Sequence, residues 1–390
     1  MRVAMIGHRR IPSREGGVEI VVNELSKRLV KTGIEVDAYN RKSHHNCGKE
    51  FDKYVKNSTY KTYEGVNIIW IPTVQGKHLE TFLYSFLATC RAIFRKYDYI
   101  HYHAEGPSVM LLIPHILRIK TIVTIHGLDC KRKKWNRIAS MYLKLGEYLA
   151  AKYADEVIVL SKNIQKYFQE TYNRKTHFIA NGVTKPEIKG DSLIREKYNL
   201  KKDGYIAFIA RLVPEKGLHY LIEAYKKLDT DKKLVIAGGS SNSNDYKKQV
   251  IEMAGDDERI LFTDFIQGEE LEEMYSNAYI YVLPSDVEGM AISLLEAMSY
   301  GNCCVVSDIP ENIEVVEDKA ISFKKGNIED LREKLEFLIN NEEYVKRYKS
   351  LSREYICRKY NWDITTAKTL EVYKKNYKVS MEAKCTGQKM

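Results

Sequence analysis

The chain has 390 residues, 44% hydrophobic and 29% charged, a length that suits two domains and a composition that excludes a disordered chain. Its 62 lysines and arginines outnumber 52 aspartates and glutamates, for a formal net charge of +10, which favours anionic partners: phosphorylated small molecules, acidic lipid surfaces or nucleic acid. Nucleic acid is set aside, because no helix-turn-helix, zinc-finger or RNP-like pattern occurs.

The opening "MRVAMIGH" reads straight into a short apolar strand at 3–6, with no signal-peptide pattern. A loop, "GHRRIPSREGG", leads to a helix in which Val18, Val21, Val22, Leu25 and Leu29 recur at helical spacing, closed by Gly33. Strands then alternate with helical stretches at 34–39, 66–71, 99–103, 121–126 and 156–161, which implies a parallel sheet covered on both faces. The apolar runs at 81–94 and 108–119 fall short of the roughly 18 residues that a membrane span needs. They are also broken by Arg91, Pro114, His115 and Arg118. Seven cysteines form no CxxC pair and no zinc-like spacing, which suits a reducing compartment, so a cytoplasmic protein is expected. Near residue 183 the alternation restarts, with strands at 205–210, 233–239, 259–265, 279–283 and 303–308. The expected fold is therefore α/β: two Rossmann-like, doubly wound parallel-sheet domains facing a central cleft, where ligands meet the carboxyl ends of the strands. The expected boundaries are 1–182 for the first domain and 183–359 for the second. A helix at 360–377 crosses back to the first, and 378–390 is a polar tail.

The strand ends carry the chemistry. After the first strand of the second half, "ARLVPEKG" sets Arg211 and Lys216 around Pro214, just before a helix. Two cations and a helix N-terminus make a diphosphate clamp, the guanidinium gripping two oxygens and the ammonium adding a point charge; the plain alternative is two solvated loop cations. The next strand ends in "AGGSSNS", where Gly238 and Gly239 allow close backbone approach and Ser240 can bond a phosphate or a ribose. "EGMAISLLEAMSYG" then carries Glu288 and Glu296. A capped helix with one solvated face is the plain reading of that stretch alone. In the company of the other loops, Glu296 can accept two ribose hydroxyls and Glu288 sugar hydroxyls, while the amides of Gly289, Met290 and Ala291 point out of a helix start.

In the first half, "EGGVE" puts Gly16 and Gly17 before a helix, with Arg9, Arg10 and Arg14 nearby to meet an anion. His126 ends its strand in "TIHGLD", and His103 and Glu105 end theirs in "HYHAEG", at adjacent strand ends expected to face the same cleft. "DCKRKKWN" sets Lys131, Arg132, Lys133 and Lys134 before Trp135, a pattern that fits an anionic membrane surface as well as a solvated basic loop.

"ARLVPEKG" together with the Glu-x7-Glu of "EGMAISLLEAMSYG" resembles the C-terminal half of glycosyltransferase family 4, retaining enzymes of the GT-B architecture. "GHRRIPSREGGVE" and "HGLD…RKKW" are similar to a bacterial subgroup of that family that acts in polysaccharide assembly and includes rhamnosyltransferases; the likeness spans roughly residues 2–375. The resemblance implies transfer of a sugar from a nucleotide-diphosphate donor with retained stereochemistry. It places His126, Arg211, Lys216 and Glu288 at the chemistry, Glu288 on the donor sugar and Glu296 on the ribose. The donor is expected to be a UDP-hexose, a UDP-N-acetylhexosamine or dTDP-rhamnose, and neither a metal nor a separate cofactor is expected. The acceptor is expected to be a saccharide linked to a lipid diphosphate at the inner membrane face. Two departures stand out: Ala210 where many members have glycine before the arginine, and Val18 where rhamnosyl-transferring relatives usually have an aromatic. A sugar-nucleotide epimerase of the same architecture and a non-catalytic nucleotide-sugar-binding protein are the rival expectations.

Overall fold

The computed structural model describes residues 1–42, 60–73, 79–132, 135–240 and 244–386. Among these, two sheets form. The first contains β1 (Arg2–Ile6), β2 (Glu35–Arg41), β3 (Thr62–Tyr63), β4 (Val66–Ile71), β5 (Tyr99–His103), β6 (Thr121–Ile125), β7 (Glu156–Val159) and β8 (His177–Phe178), in the order β3-β4-β2-β1-β5-β6-β7-β8. The second contains β9 (Tyr205–Ile209), β10 (Lys233–Ala237), β11 (Ile260–Asp264), β12 (Ile280–Leu283), β13 (Cys303–Ser307) and β14 (Ile321–Phe323), in the order β11-β10-β9-β12-β13-β14. Every pairing is parallel except the short β3–β4 hairpin.

Central strands such as β1 and β9 are apolar because both faces are covered, and the period of two sorts their side chains between layers. Ala4 and Ile6 enter one core of the first sheet, Val3 and Met5 the other. Tyr205, Ala207 and Ile209 enter one core of the second, Ile206 and Phe208 the other. Strand order reverses between β1 and β5 and again between β9 and β12, so each sheet opens a crevice at those carboxyl ends.

The chain leaves the first sheet after Phe178 and enters the second at Tyr205. The outgoing and returning segments run side by side: Val183 bridges Asn361 in parallel, and its N–H donates to the Tyr360 carbonyl at 2.8 Å. The last helix, Trp362–Thr386, then lies on the first half. Tyr373 stacks on Tyr99 with ring centroids 5.5 Å apart, and its hydroxyl lies 2.8 Å from His101 Nδ1. Among the described residues no helix is long and apolar enough to cross a membrane.

Candidate functional site

An open cleft lies between the two halves. In the second half its floor is set by Gly217, whose φ of +68° and closeness to Pro284 bring the β9 and β12 loops together; a Cβ there would stand 2.0 Å from the Pro284 carbonyl oxygen. That contact seats Lys216 against Glu288, Nζ to Oε1 at 2.6 Å, with side chains only 11% and 7% exposed. Burial holds the Lys216 ammonium below its ordinary pKa, and Glu288 opposes that shift. Arg211, half-buried at the end of β9, makes no hydrogen bond or ion pair among the described residues. Burial lowers its pKa, and the nearby Arg132 guanidinium lowers it further. Two like charges facing one space, one of them unpaired, is an arrangement that an anion relieves.

Helix Ile292–Ser299 starts at Ala291 without a side-chain cap, so its first amides face the cleft undressed. Helix Gly17–Lys31 likewise starts uncapped after Gly16. The two starts meet, a Cβ on Gly17 falling 3.7 Å from Ile292 Cγ1, so two positive helix ends converge. Glu296, one turn into its helix, is ion-paired across the cleft with Arg14 and accepts from the Tyr275 hydroxyl at 3.3 Å. That pair raises the Arg14 pKa. The halves approach at the backbone at Gly289, where a Cβ would stand 1.8 Å from the His126 carbonyl oxygen.

His126 Nε2 lies 3.0 Å from His103 Nδ1. Burial holds the His126 pKa down to about 4 and His103 lower than its ordinary value, so both rings are neutral near pH 7. Arg132 points inward, 2.8 Å from Asp129 and 3.7 Å from Glu215.

The structure brings Arg14, Gly16, Gly17, His126, Arg211, Lys216, Gly239, Glu288, Gly289, Met290, Ala291 and Glu296 to the cleft wall, with Val18 and Ala210 beside them. Other sequence-based expectations need correction. Ser240 is buried and is not part of the cleft lining. His103 is wholly buried behind His126. Glu105 is buried too, accepting the N–H groups of Asp129 and Cys130 at 3.1 and 3.2 Å; burial, with Asp129 and Glu147 next, pushes its pKa well up. Neither Arg9 nor Arg10 lines the cleft; Arg10 pairs with Glu15, while the Arg9 guanidinium is near enough to Arg211 to lower its pKa. Arg132 belongs to the cleft, not to a surface cluster, because Asp129 and Glu215 draw it in. Trp135 is only half-exposed. Lys133 and Lys134 lie outside the described residues, and of Lys131 only the backbone turn Asp129–Lys131 is described.

Sequence reasoning missed Asp129 and the apolar wall of Ile266, Leu271 and Tyr275, and it set Arg132 on the surface instead of in the cleft. The signal for Arg132 was present, since it follows "HGLD" within the loop of β6, but it was read with its basic neighbours. For a metal, Glu105, Cys130 and Glu147 place ligand atoms within 4.8 Å of one another. Glu147 Oε1 already accepts from Lys144 at 2.8 Å and from Tyr167 and Tyr172 at 2.8 and 2.5 Å, and its Oε2 accepts from the Cys130 thiol at 3.4 Å, so the group is held as a hydrogen-bonded cluster. An Asp-x-Asp at 229–231 precedes β10, at the amino end of the strand and away from the cleft.

The family model for "Glycosyltransferase Family 4" matches residues 15–185, and that for "Glycosyl transferases group 1" matches residues 191–355. The chain is 26% identical to an uncharacterized glycosyltransferase of Methanocaldococcus jannaschii, over 96% of this chain and 98% of that one. It is 23% identical to O-antigen chain mannosyltransferase C of Escherichia coli, over 98% of this chain and all of that one. HepE of Anabaena, solved in complex with UDP and glucose, superposes with a TM-score of 0.77 over 96% of this chain and 99% of that one, at 16% identity. Two matched halves, two wound sheets and a cation-lined cleft between them lead to one assignment. The chain belongs to glycosyltransferase family 4 and has the GT-B architecture.

Proposed function

We propose that the cleft binds a nucleotide-diphosphate sugar and that the enzyme passes the sugar, with retained configuration and without a metal ion, to a saccharide acceptor. The observation that carries this is Arg211, an unpaired cation beside Arg132 and Lys216 at two uncapped helix starts. When the bond between the anomeric carbon and the phosphate oxygen breaks, its electron pair goes to that oxygen, and preorganised cations lower the barrier by stabilising the new charge. The acceptor oxygen bonds the same face of the anomeric carbon, and its proton passes to the departing phosphate. His126 holds the donor sugar near the reacting centre, Glu288 its hydroxyls and Glu296 the ribose, exchanging Arg14 for two hydroxyl donors. The wall of Ile266, Leu271 and Tyr275 suits a nucleobase.

The O-antigen relative supports a role in cell-surface polysaccharide assembly (capsule, exopolysaccharide or O-antigen). The acceptor we propose is lipid-diphosphate-linked, at the inner face of the cell membrane. Donor candidates are UDP-hexose, UDP-N-acetylhexosamine and dTDP-rhamnose; HepE, solved with UDP, favours the first two. The test is a panel of nucleotide sugars, extended to a mannosyl donor, assayed for nucleoside diphosphate release with EDTA present. Release that depends on a saccharide acceptor, with retained linkage by NMR, is the expected result. Conversion of the donor without acceptor, loss of activity in EDTA or an inverted linkage would overturn the reading.

A further inference from the structure

We propose that the outer face of the first half, built from helices Leu79–Ile93, Leu112–Ile116 and Arg137–Tyr153, docks on an anionic lipid bilayer. Of the 17 large apolar side chains that are exposed among the described residues, 10 lie between positions 82 and 148. On helix Arg137–Tyr153 they fall at Ile138, Met141 and Leu145, which are 79%, 66% and 47% exposed and share one stripe at helical spacing. The same helix buries Leu143, Gly146, Leu149 and Ala150 on its other side. The core therefore already has its apolar stripe, and the second one serves something else.

The neighbouring helices extend that face. The Phe82 and Tyr142 rings meet edge-on at 6.4 Å, and His115 and Tyr153 at 4.9 Å, which ties the three helices side by side. Phe86 and Ile116, at 40% and 75% exposure, add to the patch.

Charge decides the occupant. The acidic residues of these helices, Glu80 and Glu147, are both buried. Of the exposed charges on and beside them, Arg91, Arg118, Arg137, Lys144 and Lys152 are positive, Lys144 being paired with Glu147, and Asp155 is negative. An apolar stripe with cations in excess around it fits a bilayer surface, where the side chains enter the acyl boundary and the cations meet lipid phosphates. A second copy of the same face would bring like charges together. The position also serves the site: Arg132 in the cleft is five residues from Arg137 along one short connection. Docking here would hold the cleft over a lipid-linked acceptor, and in that purpose it rests on the function proposed above.

The test is co-sedimentation of the full chain, without nucleotide, with vesicles containing phosphatidylglycerol and with vesicles of phosphatidylcholine alone. Binding to the anionic vesicles, weakened by salt, is expected, with a drop of at least about tenfold in Ile138→Ser/Met141→Ser/Leu145→Ser. Those positions are exposed, so the variant should keep its melting temperature and its nucleoside diphosphate binding. Equal recovery with both vesicle types, no recovery with either, or a concentration-dependent dimer that only the triple variant loses would overturn the proposal. Vesicle binding in a protein that binds no nucleoside diphosphate would sustain this surface and refute the function instead.

Discussion

Lys216 and Glu288 face each other at 2.6 Å with little water around either, so removing one leaves the other charged and stranded. Breaking such a pair costs about 3–5 kcal/mol, whereas neutralising both costs less. Lys216→Ala should therefore melt lower than Lys216→Ala/Glu288→Gln, while both lose at least about 100-fold in kcat/KM, the scale of one lost donor to a developing oxyanion. A single variant with undiminished turnover would remove the clamp. His126 makes a second residue-level prediction. Its pKa of about 4 keeps it neutral, with Nε2 committed to His103, so it serves as a hydrogen-bonding group and not as a titrating acid or base. The rate should then show no imidazole limb across the ordinary histidine range around pH 6.5. A limb near that value, abolished in His126→Asn, would contradict this.

Among the elements, the β6 loop and the start of helix Ile292–Ser299 are in backbone contact only because position 289 has no side chain. Gly289→Val should wedge the halves apart and lower kcat by about 100-fold, as misplacing reacting groups by an ångström does. Nucleoside diphosphate binding, carried by Arg211 and Lys216, should persist; wild-type kcat in that variant would refute the contact. This glycine also marks how far the sequence could be read. The wound sheets were legible because strands such as β1 and β9 are continuous apolar runs closed by turn residues, and the helix of Glu296 because glycines bracket it. β14, three residues long, and the broken helix that absorbs 105–116 were not, since neither holds a full period. At the site, residues on loops after strands were legible from their placement. What was not legible was direction: whether Arg132 turns inward, or whether His103 stands in front of His126 or behind it, is set by partners distant in the chain.

At the scale of the whole molecule, the first half buries His8, His101, His103 and His126 in and just beyond its strands, all held below pKa 6.5, chiefly by burial. Depressed folded pKa values mean that the unfolded chain binds these protons first. The stability they contribute is present above pH 6.5 and is lost as pH falls towards about 4. Glu105 works the other way. Its raised pKa stabilises the fold below the ordinary carboxylate value, and that contribution is lost as pH rises. Four histidines outweigh one glutamate, so denaturant unfolding should show stability falling steeply between pH 6.5 and 4, less so in His101→Gln; a flat profile would contradict the buried neutral rings. The central claim, that Arg211 waits in the cleft for a diphosphate, is tested most directly by calorimetric titration of UDP and dTDP against uridine and thymidine. At least one diphosphate should bind about 100-fold tighter than its nucleoside, the scale of charge-assisted bonds to two cations, and Arg211→Ala should erase most of that difference. No preference for either diphosphate, or a preference that survives in Arg211→Ala, would contradict it.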